Sequence, residues 1–263
     1  MPSILLAFAR ASFRQQAAYR TANAAGLATN AMFLAFRVAA LSACYARRDA
    51  IGELSEAGAT TFAVVTQATL MVAPVWGSLG LANDVRSGQI AVELLRPVDL
   101  YAVALARRLG ASAWYAGGRM VPLLVVGALL GALSPPADLL AALAFPASLA
   151  LSAVVGTSLL FLIELSSFWL ESERGVRMIV SGVAVVASGL MLPLSWYPPA
   201  VAGLLSLSPW AALLDAPARI WIGVPPAELA RTLVQQAGWA VAVALACRAA
   251  LARATRHLQV AGG

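Results

Sequence analysis

Between Met178 and Leu214 the chain runs for 37 residues without one charged side chain. Five shorter stretches share that character: Thr21 to Phe36, Ala57 to Asn83, Met120 to Ala137, Leu139 to Ile163 and Thr232 to Cys247. Water does not wet surfaces built from such runs, whereas a bilayer-spanning helix needs about 20 largely apolar residues. Composition agrees. Charged residues make up 11% of the 263 and hydrophobic residues 61%, with a mean hydropathy of +0.81; a soluble domain carries about 25% charged residues. A soluble enzyme is excluded. Allowing each run a flanking arginine or two, six helical spans are predicted, near residues 24–45, 59–82, 111–133, 140–164, 177–195 and 230–251. The first has to take Arg37 into its interior.

The net charge of +6 comes from 18 basic residues, all of them arginine. They are scattered between apolar blocks and form no stripe, so nucleic acid is not an expected partner. The absence of lysine excludes a Walker A phosphate loop and any lysine Schiff base, so the chain does not hydrolyse ATP by that route alone. Cys44, Cys247 and the single histidine, His257, leave no zinc constellation. The cysteines read as small hydrophobes and His257 as part of a solvated tail. An intramembrane enzyme would need a Ser/His or paired-carboxylate set, but the acids cluster in loops.

Arginine placement orients the chain. With the N-terminus inside, Arg10, Arg14, Arg20, Arg86, Arg96, Arg107, Arg108, Arg174, Arg177, Arg253 and Arg256 fall on inner segments. Only Arg47, Arg48, Arg219 and Arg231 fall outside, so both termini are expected to be cytoplasmic. Residues 1–22 lack the continuous apolar core of a signal peptide. Ile4, Leu5, Phe8, Ser12 and Tyr19 share one helical face opposite Arg10 and Arg14, which suits an amphipathic helix lying along the inner leaflet; the alternative is a frayed tail. No repeat or linker interrupts the remainder, so residues 1–263 read as one membrane domain.

The inner segment 84–108 reads as a helical elbow. Ser87 and Gly88 start a short helix bearing Ile90, Glu93, Leu94 and Leu95, Arg96 follows, and Pro97 stops it. Asp99 is placed to cap the next helix. Ile90, Leu94 and Leu95 directed at the cytosol would dock into a partner's groove, or else simply touch the protein's own inner ends. A second inner loop with Glu171, Glu173 and Arg174 offers another contact. On the outer side, Pro193, Pro198, Pro199 and Pro209 break the long uncharged run. Trp196 and Tyr197 are placed as an interfacial anchor, and residues 196–228 suit a non-spanning apolar hairpin. Such irregular backbone persists at membrane depth only when buried in protein or lining a cavity.

Three charges stand near the predicted bilayer, where each costs at least about 2.5–3.5 kcal/mol. Arg37 and Arg119 either line a translocation path and hold an anionic group, or are structural. In the structural case Arg119 snorkels beside Trp114 and Tyr115, and Arg37 pairs across a subunit seam. Glu164 is either a gate or a wetted helix end. Asp215 and Arg219, four apart, read as a local helix pair.

The stretch Ser87-Gly88-Gln89-Ile90-Ala91-Val92-Glu93-Leu94-Leu95-Arg96-Pro97 resembles the inner-loop motif of ABC-2-type permeases. Gly189-Leu190-Met191-Leu192-Pro193-Leu194-Ser195-Trp196-Tyr197-Pro198-Pro199 is similar to that family's outer turn, and the ending from Arg253 to Gly263 is similar too. The resemblance covers essentially the whole chain. It implies an all-α polytopic membrane protein with six transmembrane helices, an N-terminal interfacial helix, a coupling helix around residues 87–97 and an outer re-entrant hairpin. By the same resemblance the chain pairs with a second permease, identical or homologous. It also sits on two copies of an ABC ATPase subunit that binds the ATP and magnesium, while the chain itself binds no cofactor. The setting is a bacterial cytoplasmic membrane, and export is the implied direction. An ion- or proton-coupled secondary transporter is the alternative.

Overall fold

The computed structural model describes residues 2–47, 50–74, 76–170 and 172–257. Helix α1 (Pro2–Ala18) is followed by the long α2 (Arg20–Tyr45). A two-residue antiparallel ribbon pairs Ala50 with Ser55 and Ile51 with Leu54. Helix α3 (Glu56–Thr69) then starts at a cap in which Ser55 Oγ accepts from the Gly58 N–H at 3.2 Å. The short helices α4 (Leu81–Arg86) and α5 (Ile90–Leu94) form the elbow, and Asp99 caps α6 (Leu100–Tyr115) by accepting from the Ala102 N–H at 2.6 Å. A π-helical turn, Ala116–Met120, joins α6 to α7 (Val121–Leu129). Helices α8 (Leu139–Leu165) and α9 (Arg174–Ala187) come next. The outer hairpin holds α10 (Pro199–Ser206) and α11 (Asp215–Ile222), and α12 (Pro226–Ala254) closes the bundle. Below, the end of the bundle bearing α1 is called inner and the opposite end outer.

Three helical stretches, Arg20–Tyr45, Leu139–Phe168 and Pro226–Ala254, are each long and apolar enough to cross a bilayer. Arg37 does lie inside the first of them. The predicted span 59–82 is not one regular helix. Pro74 lacks an N–H and disfavours helical backbone before it; α3 stops at Thr69, and residues 70–74 and 76–80 follow as turns, bends and irregular backbone. Backbone freed in this way finds partners inside the protein: Ser112 Oγ on α6 donates to the Val72 carbonyl at 2.7 Å. Gly156 on α8 makes room for the Pro74 carbonyl, which a Cβ at that position would strike at 2.6 Å.

Helix α8 is the central strut, packed against α6, α11 and α12. Its buried face holds small and hydroxylated residues, including Ser148, Ser152, Gly156, Thr157 and Ser158. Helix α1 packs against α6. Ala9 meets Gly110 of α6 so closely that any side chain at Gly110 would strike the Ala9 backbone. Leu5, Phe8, Ser12 and Gln16 are half-buried, while Ile4, Leu6 and Phe13 stay exposed. Of the predicted apolar face, Leu5, Phe8 and Ser12 are half-buried, while Ile4 and Tyr19, the latter just past the end of α1, are exposed.

Candidate functional site: elbow, arginines and outer cavities

At the inner end, α5 settles the elbow's orientation. Ile90 is 1% exposed and packs with Leu81, Tyr101, Phe161 and Leu165, with Leu94 partly buried beside it. Residues four apart share a helical face, so Ile90 and Leu94 both point into the protein. They touch the protein's own inner end, as the alternative reading has it, and of the three apolar elbow residues only Leu95 is exposed, at 84%. Val92 joins it on the outer surface of the elbow, with Ser87, Gly88 and Pro97 exposed around them. Glu93 pairs with Arg96 at 3.5 Å. Trp169 and Leu170, in the neighbouring inner loop, are also exposed.

Behind the elbow sits an ionic clamp. Glu164 is 0% exposed, so it is not a wetted helix end. Its Oε1 accepts from Ser78 Oγ at 2.7 Å, from the Leu79 N–H at 2.6 Å and from Arg177 Nη2 at 3.3 Å. Its Oε2 accepts from the Ala82 N–H at 3.4 Å. Arg177 also donates to the Gly77 carbonyl and to Glu173 Oε1, and Arg86 of α4 donates to Glu173 Oε2 at 2.7 Å. The clamp thus ties the ends of α8 and α9 to the strand of chain leading into the elbow. Glu173 is buried rather than presented as a second contact, and Glu171 lies outside the described residues. A hydrogen bond from its own backbone N–H holds the Glu173 carboxyl below the usual glutamate range against the cost of burial, helped by Arg177 and Arg86.

Arg37 reaches neutral oxygens of its own chain. Nη1 donates to the Ala63 carbonyl at 3.2 Å and to Gln67 Oε1 at 3.1 Å, and Nη2 donates to Thr66 Oγ1 at 3.2 Å. Gln67 in turn donates to Asn30 Oδ1 at 2.9 Å. Within the chain Arg37 thus belongs to a polar ladder between α2 and α3. Arg119 lies over the Tyr115 ring at 4.8 Å and donates to Asn23 Oδ1 at 2.7 and 3.0 Å. Neither arginine has a carboxylate partner among the described residues.

On the outer side, residues Ala211 to Leu214 and most of α11 are buried in protein between α3 and α8. The hairpin's unpaired backbone is satisfied by side chains that hydropathy alone does not single out. Ser152 Oγ donates to the Ala212 carbonyl at 2.8 Å and Gln236 Nε2 donates to it at 2.9 Å. Gln236 Oε1 accepts from Ser148 Oγ at 2.8 Å. The predicted Asp215–Arg219 pair is rearranged: Arg219 bonds Glu228 at the start of α12. Asp215 Oδ1 instead accepts from the Leu194 N–H at 3.4 Å. Burial pushes the Asp215 carboxyl up to about 6, against the pull of Arg219 and that N–H. Asp215, Arg219 and Glu228 form the shared wall of two cavities of about 510 and 500 Å³.

The outer turn is anchored on protein. Trp196 packs 6.3 Å from Tyr45, centroid to centroid, and next to Gly52 of the ribbon. Pro193 precedes the 3₁₀ turn Leu194–Trp196; Tyr197 follows it half-buried, Pro198 stands at the N-cap of α10 and Pro199 begins it. The side chain of His257 and the tail from Leu258 to Gly263 lie outside the described residues.

No curated protein matches the chain. A family model does, and it runs through the elbow, the clamp, the ladder beyond Met32 and the whole outer hairpin. Matching the ABC-2 family transporter protein across residues 32–262, the chain belongs to that family of transporter membrane components.

Proposed function

We propose that this chain is the membrane-spanning permease subunit of an ABC exporter. It crosses the membrane six times with both termini cytoplasmic, and it pairs with a second permease on two copies of an ABC ATPase that binds ATP and magnesium. The observation that carries the reading is the elbow: Val92 and Leu95 are exposed while Ile90 is locked into the core, directly in front of the Glu164 clamp. A rigid block of this kind passes a push on its outer face to the inner ends of α8 and α9. The helical segments in all six uncharged runs support the span count, and the arginine bias supports the orientation. The missing lysine supports an ATPase on another chain.

In this mechanism, closure of the ATPase pair displaces the elbow and the clamp carries the displacement into α8. The outer hairpin, pinned to α8 and α12 through Ala212, opens or closes the cavities beside Asp215. Only differential affinity of the cargo for the two states makes such a switch productive.

A proton-coupled transporter is favoured by one observation, the buried Asp215 at the wall of both outer cavities. One experiment separates the readings. A tagged chain is purified from its native membrane, and ATPase activity and vesicle transport are measured with vanadate or an uncoupler. The permease reading expects a co-purifying nucleotide-binding protein and transport that stops with vanadate; transport that survives vanadate and collapses with the uncoupler overturns it.

A further inference from the structure

A cavity of about 470 Å³ lies at the inner end, between α1, the chain leading into α4, and α6. That volume is within the roughly 300–1,000 Å³ of small-molecule sites. On its α1 wall stand Ser12, Gln15 and Gln16, and on its α6 wall Arg107 and Arg108. Asp84 and Glu93 also line it, so its four charged side chains cancel formally, but they do not all pair with one another. Glu93 is paired with Arg96. Asp84 has its carboxyl pushed up by burial and by Glu93, with Arg107 pulling the other way. Arg107 stacks over Phe8 at 4.8 Å.

Arg108 is different. Among the described residues it makes no hydrogen bond and no ion pair, and its buried Nε has no partner. Its guanidinium lies 5.8 Å from the Tyr115 ring, and Arg119 lies 4.8 Å from the same ring. Two guanidinium groups therefore lie near one phenol ring, and neither has a carboxylate partner among the described residues. The neighbouring α1 groups are also rich in donors. Gln16 Oε1 is used by the Tyr115 hydroxyl at 2.7 Å, which leaves its amide N–H groups unused; Ser12 and Gln15 have no side-chain partner among the described residues. Arg108 is half-buried, a partly desolvated cation gains from a counter-ion, and a planar guanidinium is the side chain best matched to phosphate oxygens.

We propose that this cavity binds a phosphate group, with Arg108 as the principal ligand and Ser12, Gln15 and Gln16 as supporting donors. The phosphate is presented either by an anionic phospholipid of the leaflet in which α1 lies or by a soluble phosphate in the cytosol. The exposed Ile4, Leu6 and Phe13 on α1 place the cavity mouth at headgroup level. The cavity borders the elbow through Leu81, Asp84 and Glu93 and is separate from the outer cavities, and the proposal stands whether or not the transport reading does.

The test uses the full chain in nanodiscs of phosphatidylcholine alone, of phosphatidylcholine doped with phosphatidylglycerol, and of phosphatidylcholine with inorganic phosphate in the buffer. The unfolding midpoint and the retained lipid are read for the native chain, for Arg108→Gln, and for the control Arg10→Gln/Arg14→Gln. The native chain should be stabilised by an anion, and Arg108→Gln should lose that shift and bind about tenfold more weakly. In phosphatidylcholine alone Arg108→Gln should unfold no earlier than the native chain, because it sheds an uncompensated charge. A shift from phosphatidylglycerol alone identifies the lipid headgroup; an equal shift from inorganic phosphate identifies the soluble anion. The proposal is overturned if neither anion shifts the native chain, if Arg108→Gln keeps the full shift, or if only the α1 control loses it. Should Arg108→Gln not fold, the exposed Gln15→Ala carries the same readout, and an undiminished shift in it overturns the site.

Discussion

Glu164, at the inner end of α8, accepts the backbone N–H of Leu79 at 2.6 Å, across 85 positions of sequence. That bond, with those from Ser78, Ala82 and Arg177, makes one buried carboxylate the junction of four chain segments. Irregular backbone near the membrane needs such internal partners, since lipid supplies none.

Glu164→Ala should therefore destabilise the protein strongly. Removing one member of a buried ion pair costs about 3–5 kcal/mol, and three donors lose their acceptor as well. Glu164→Gln keeps an acceptor oxygen and should fall between the two. Thermal unfolding in detergent, followed by circular dichroism, checks the order; a native-like Glu164→Ala would remove the clamp from the mechanism.

For the elbow, two adjacent leucines should behave differently. Leu95→Asp changes a side chain that is 84% exposed, so the fold should shift by no more than about 0.5 kcal/mol while ATPase association is lost. Leu94→Asp buries a carboxylate beside Ile90 and should lower stability itself. Pull-down of the ATPase alongside unfolding midpoints distinguishes them. Normal coupled transport in Leu95→Asp contradicts the docking role.

Gln236→Leu preserves bulk but takes a donor from the Ala212 carbonyl and an acceptor from Ser148. A loss of about 1–3 kcal/mol is expected. Limited proteolysis of the outer hairpin should quicken in the same variant, and an unchanged cleavage rate would show that the hairpin is held by other contacts.

Two carboxyls should give opposite pH limbs. Asp215 is raised to about 6, so its contribution to stability is complete below its ordinary value of 3.8 and is lost as pH rises through about 6. The size is on the order of 3 kcal/mol. Glu173 is lowered, so its contribution is present above its ordinary value of 4.5 and is lost as pH falls below it. Stability measured from about pH 3 to 8, a range that brackets both carboxyls, for Asp215→Asn and Glu173→Gln, each against the native chain, should show one limb removed in each variant.

Orientation has a direct check. Tyr197→Cys, in a background with Cys44 replaced, should react with a membrane-impermeant maleimide applied to intact cells. Reaction only after permeabilisation reverses the assignment of inner and outer ends.

Membrane character and helix within the uncharged runs were legible from charge spacing, because hydropathy is a local property summed along the chain; the limits were not, since the helix predicted over 59–82 ends at Thr69 and that over 177–195 at Ala187. The resemblance carried by residues 87–97 and 189–199 pointed to the ABC-2 family that residues 32–262 match. The Asp99 cap was equally local. What the tertiary structure alone decided were the partners of buried polar groups. The composition of α2 does not say that Arg37 will meet Gln67, nor that of α11 that Arg219 will leave Asp215 for Glu228. Ile90 and Leu95 look alike as letters, and only the packing of α5 against Phe161 and Leu165 separates the buried one from the exposed one. Hydrogen bonds such as that between Gln236 and Ser148 join positions 88 apart. Such a choice follows from which helices touch, and that is set by the packing of the whole bundle rather than by any window of sequence.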